Sequence, residues 1–100
     1  MFVNLTPHDV NIIGGPTIPA SGTVARLLVS TEKLGMIDGV PVVRTAYGPI
    51  LDLPDPAEGT IFIVSSLVAS RSKRHDLAVP NDFVRNDSGG IVGCRNLSLN

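Results

Sequence analysis

Aromatic side chains are scarce in this chain. Phe2, Tyr47, Phe62 and Phe83 are the whole set, and tryptophan is absent. Single-stranded nucleic acid is held on aromatic stacking platforms, and a DNA-binding domain is strongly basic. Here charged residues make up only 17% and the formal net charge is −1, so no DNA or RNA partner is expected. Cysteine occurs once, as Cys94. That excludes an internal disulfide framework and a cysteine metal cluster. Its neighbours Val92, Gly93 and Arg95 suggest a strand in which a buried thiol acts as a small hydrophobe; the other reading is a reactive thiol beside Arg95. No apolar run reaches membrane-spanning length, and Met1-Phe2-Val3-Asn4 lacks the basic start of a signal peptide. The expectation is a reduced, cytosolic protein.

Catalytic signatures are missing too. There is no Gly-x-Ser-x-Gly elbow and no Gly-rich phosphate cradle of the Walker type. His75-Asp76 invites comparison with metal phosphohydrolases, but that class is all-helical and needs more ligands. This chain has two histidines in all, and its spacing demands no zinc site. The expectation is therefore no metal and no cofactor, and no enzyme, with a small hydrolase dependent on His8 or His75 as the alternative.

What is present is a dense apolar run. Ile61, Phe62, Ile63 and Val64 are apolar on both faces, as in a central strand covered from both sides. Ser65 and Ser66 follow where a helix N-cap belongs. Leu67, Val68 and Ala69 then lead into Arg71, Lys73 and Arg74, which reads as a short helix with a basic last turn. One hundred residues make one domain, 1–100, with enough core to need no staples. With few charges to cover a monomer, burial in a homo-oligomer is expected.

Along the chain, Phe2–Leu5 reads as a strand broken at Thr6-Pro7. Val10–Ile13 resumes it, and Gly14-Gly15-Pro16 turns it. Ile18–Gly22 looks like an edge segment and a turn. Thr23–Ser30 is a strand. Thr31–Gly39 reads either as one helical turn limited by Gly35 and Gly39 or as a loop. Asp38-Gly39 before Val40-Pro41-Val42-Val43 is a hairpin signal; that strand runs to Tyr47 and stops at Gly48-Pro49. Leu77–Val79 is followed by a turn at Pro80-Asn81-Asp82. Phe83–Arg85 and Ile91–Cys94 flank the Gly-rich Asn86–Gly90 loop as a closing hairpin. The predicted fold class is mainly β (α+β): a small antiparallel barrel or sandwich with one short helix after the central strand.

Charge is unevenly placed. Residues 1–70 carry three basic against six acidic side chains; residues 71–100 carry five against three. The tail suits either a solvated face or a small anion. A helix N-terminus presents free N–H groups to phosphate, and arginine grips phosphate bidentately. Ser65, Ser66, Arg71 and Arg74 are the phosphate candidates, unless the serines only cap the helix. His8, Arg26, Arg44 and Arg85 are further candidate contacts, and Tyr47 is the candidate to stack on a base. In Thr6-Pro7-His8-Asp9 the imidazole sits at the surface or a rim, where Asp9 can orient it; the plainer reading is that Thr6 and Asp9 satisfy turn backbone.

Asn4-Leu5-Thr6-Pro7-His8, Pro19-Ala20-Ser21-Gly22-Thr23-Val24-Ala25-Arg26, Gly59-Thr60-Ile61-Phe62-Ile63-Val64-Ser65 and Pro80-x-x-Phe83-Val84-Arg85 with Gly90-Ile91-Val92-Gly93-Cys94 stand along most of the chain. Together they resemble a family of small, largely uncharacterised bacteriophage and prophage proteins. The resemblance implies a protein made in the host bacterial cytoplasm. Small β-rich oligomers of phages include anti-defence sponges that sequester nucleotide immune signals, an analogy of class alone. The function expected on that basis is binding of a small phosphate-bearing nucleotide, of cyclic-nucleotide or ADP-ribose type. The alternative is a protein-interaction or structural accessory protein without a small ligand.

Overall fold

In the computed structural model, which describes residues 1–100, the apolar run forms the central strand. Eight strands and one helix are arranged in order: β1 Phe2–Asn4, β2 Val10–Asn11, β3 Thr17–Ile18, β4 Arg26–Ile37, β5 Val40–Leu51, β6 Ile61–Ile63, α1 Ser66–Ser70, β7 Leu77–Arg85 and β8 Ile91–Leu99. β6 lies between β1 and β7 in a four-stranded sheet of order β1-β6-β7-β8. Its alternating side chains feed two cores. Phe62 joins Leu5, Ala25, Val64, Val68, Ala69 and Leu77 in the larger one. Ile63 faces the other way, to Val10 and Cys94. Cys94 is thus a buried strand residue, as its neighbours imply.

The chain is 54% strand and 5% helix, mainly β with one short helix after the central strand. β1, β6 and β7 run parallel, and only β8 is antiparallel to its neighbour. The α1 crossover between β6 and β7 makes that possible. A β2–β3 hairpin is tied to both edges of the sheet. Ser21 N donates to Asn4 O at 2.9 Å, and Ile13 N donates to Cys94 O at 2.9 Å. These are single bridges rather than ladders, and no barrel closes.

Four local expectations need correction. Thr31–Gly39 is neither helical turn nor loop. β4 continues through it to Ile37, and β5 continues past Gly48-Pro49 to Leu51. The expected Asp38-Gly39 turn joins them, with φ of 51° and 79°, the left-handed pair of a type I′ hairpin. Pro80-Asn81-Asp82 is not a turn either, because β7 runs on to Arg85. Beyond Ala78 the β6 ladder has ended, so the missing N–H of Pro80 falls on a free edge. Finally, α1 ends at Ser70 with Arg71 as its C-cap, and no basic residue lies in its last turn.

Candidate functional site

Asn4 closes the end of β1. It is the one buried polar residue, 1% exposed. Its Nδ2 donates to His8 O at 2.9 Å and to Ile18 O at 3.0 Å. Its Oδ1 accepts from Thr6 N at 3.0 Å and lies 2.7 Å from Thr6 Oγ1. Asp9 Oδ1 accepts from Ala20 N at 3.0 Å. Asn4, Thr6 and Asp9 therefore spend their polar atoms on the turn, and the His8 side chain alone stands exposed without a bond in the chain.

One strand away, β6 ends at the start of α1. Ser65 is the N-cap, and its Oγ accepts from Val68 N at 3.3 Å. Ser66 is exposed beside it. These two strand ends border a groove of about 490 Å³. Its lining includes Thr6, His8, Asp9 and Asn11, the Ser65–Ser66 pair, Val79, Pro80 and Phe83 of β7, and Gly93 and Cys94 of β8. It lies outside the carboxyl ends of parallel strands, where open sheets with helical crossovers seat ligands.

Gly93 makes this geometry possible. A Cβ there would stand 2.6 Å from Asn11 O and 2.8 Å from Ile13 Cδ1. Only glycine lets β2 pass this close to β8. Asn11 then donates from Nδ2 to Val92 O at 3.0 Å, which pins the contact.

Of the candidate residues, His8, Ser65 and Ser66 meet in the groove. The others do not join them, and no lysine or arginine lines it. Arg74 is spent on structure. Its Nε and Nη2 donate to Asp76 at 2.9 and 2.6 Å, and its Nη1 donates to Pro54 O at 2.7 Å. Hydrogen bonding from Arg74 is the largest influence on the Asp76 carboxyl and holds it below its ordinary range, against the opposing effect of desolvation. Arg71 stacks on Tyr47, 4.4 Å from the ring centroid, so one face of the candidate stacking residue is already covered. Arg26 lies 3.7 Å from Asp52. Arg85 donates to Gly89 O at 2.8 Å. Arg44 lies exposed on β5, opposite Glu32. A helix of five residues is too short to make its N-terminus a phosphate site of its own.

Phe83, Pro80, Asn11 and Gly93 line the groove without having been singled out. Phe83 was legible as an aromatic next to a hairpin loop. Nothing local marks Asn11 or Gly93, because their roles depend on the packing of β2 against β8. No group of three or more potential metal ligands occurs, and no helix is long and apolar enough to cross a membrane. No protein-family model, curated protein or solved structure matches the chain.

Proposed function

We propose that this chain is a small-ligand-binding protein that seats its ligand in the groove beside His8, Ser65 and Ser66. The observation that supports this is the convergence of those three side chains at the carboxyl ends of β1 and β6. The lining combines apolar carbon with hydroxyl, amide and imidazole groups. A heterocycle bearing hydroxyl or amide groups, as in a nucleoside, matches it. A phosphate on such a ligand meets the imidazole of His8 and the serine hydroxyls there and no guanidinium, since no arginine lines the groove. On the analogy with phage sponges, the ligand class proposed is nucleotide-derived, of cyclic-nucleotide or ADP-ribose type, held intact and stoichiometrically. The resemblance to phage proteins suggests the setting, an anti-defence sponge in the host bacterial cytoplasm. Binding is favoured over turnover because no groove serine or cysteine is hydrogen-bonded to an imidazole, and Ser65 is engaged as a cap.

Titration calorimetry with a panel of cyclic di- and trinucleotides, ADP-ribose derivatives and their parent nucleosides tests this. Ser66→Trp, which fills the groove, is expected to abolish binding. His8→Gln is expected to weaken phosphorylated ligands several-fold and leave nucleosides unchanged. Equal affinity in wild type and Ser66→Trp would remove the groove from the account.

The reading as a protein-interaction or accessory protein draws on a different observation, the exposed β4–β5 hairpin.

A further inference from the structure

β4 and β5 pair only with each other. Each has 12 residues, so the ribbon is about 40 Å long. Only its root is anchored, where Leu27 and Ile50 pack on the larger core. Beyond that root no residue is buried. A lone two-stranded ribbon is marginal in water, and this one projects as an arm.

Its two faces differ. Paired residues share a face, and successive residues alternate. From the Leu27–Ile50 root, the core-facing side continues outward through Val29 opposite Tyr47 to Val43 and Met36. These four are between 43% and 65% exposed. Lys33 is the only charged arm residue on that side between Val29 and Met36, whereas the other side carries the Glu32–Arg44 pair in its middle, between Leu28 at the root and Ile37 opposite Val40 at the tip. Apolar side chains thus continue from the core along one face of the arm, where Arg71 lies over Tyr47 and Val29, Val43 and Met36 stand exposed.

The exposed area indicates what covers it. The chain exposes 6775 Å², whereas a compact monomer of this mass exposes about 5,400 Å². The surplus is about 1,300 Å² per chain, taken over the whole surface, and two such surpluses are of the size that obligate homodimers bury. The radius of gyration, 16.4 Å, likewise exceeds the roughly 13 Å of a compact hundred-residue domain. The charges on this face are Lys33, opposite Val43, and the Arg71 guanidinium over Tyr47, so like-charge repulsion in a two-fold contact with itself is confined to those two positions.

We propose that the Val29–Tyr47–Val43–Met36 face of the arm is covered by the same face of a second copy, in an isologous two-fold contact. The contact lies away from the groove, so assembly and ligand binding are separable.

Sedimentation equilibrium at tens of micromolar tests this. Wild type is expected at twice the chain mass. The double variant Met36→Lys/Val43→Lys is expected at the chain mass, with an unchanged far-ultraviolet circular dichroism spectrum. Ser30→Lys, on the opposite face of the same arm, is expected to remain a dimer and controls for added charge. A monomeric wild type overturns the proposal. So does a dimer that survives the double substitution, or one that Ser30→Lys dissociates equally well.

Discussion

Asn4 shows how one side chain can organise a site that it does not enter. Its buried amide holds the carbonyls of His8 and Ile18 and both donors of Thr6. Asn4→Ala strands those groups, and an unsatisfied buried polar group costs about 1–3 kcal/mol. Urea denaturation is expected to show a loss of about that size, with ligand affinity falling because His8 is no longer positioned. Asp76 gives a pH-dependent counterpart. Its carboxyl titrates below the ordinary range when folded, chiefly through hydrogen bonds from Arg74. Its contribution is present above the ordinary carboxylate pKa and fades as pH falls through the lowered folded value. Asp76→Asn is therefore expected to cost about 1 kcal/mol at neutral pH, a modest value for a partly exposed pair. The difference from wild type should shrink in acid; a constant gap down to the acid limit would contradict this assignment. Arg74→Ala likewise reports on stability, since its three bonds are internal.

At the scale of elements, the contact between β2 and β8 shapes the groove. Gly93→Val places carbon against Asn11 O, where even a Cβ would stand at 2.6 Å. Overpacking of this kind costs about 1–3 kcal/mol. Thermal denaturation should show the loss, and nuclear magnetic resonance shifts should localise the change to residues around Asn11. Shifts spread evenly over the chain, or none, would contradict the role given to this glycine. Some elements were legible in the sequence. Ile61–Val64 is dense enough in apolar β-formers to mark a central strand, Asp38-Gly39 marks a tight hairpin, and Ser65 marks a helix start. Others were not. β4 between Thr31 and Ile37 lacks strict alternation, because Leu34 sits in a bulge between the Lys33 and Gly35 pairings. Pro80 resembles a turn residue until β6 is known to end before it. For the groove, the sequence marks His8 by its turn and Ser65 and Ser66 by the strand-to-helix junction, and the fold brings the three together. It does not bring the arginines there, and a basic tail says nothing of which carboxylate or carbonyl each guanidinium meets.

The whole molecule divides into a small packed body and a long arm. The body holds both cores and the groove, and the arm carries the core outward on one face. Solution scattering is expected to give a particle in which two bodies are joined through their arms. A scattering curve matching a single chain of 16.4 Å radius would contradict the pairing while leaving the groove untouched. Parallel pairing of β1, β6 and β7 sets this architecture, and it depends on contacts distant in sequence that no local pattern displays.

Native mass spectrometry, with nucleotide-derived ligands added to wild type and to Ser66→Trp, tests the central claim most directly. It records subunit number and bound mass in one spectrum. The expected result is a wild-type dimer that retains an intact ligand on each chain, beside a Ser66→Trp dimer that retains none. A wild-type spectrum bare of ligand across the whole panel would contradict the binding function. A bound mass reduced to that of a cleaved product would contradict sequestration and make the groove a catalytic one.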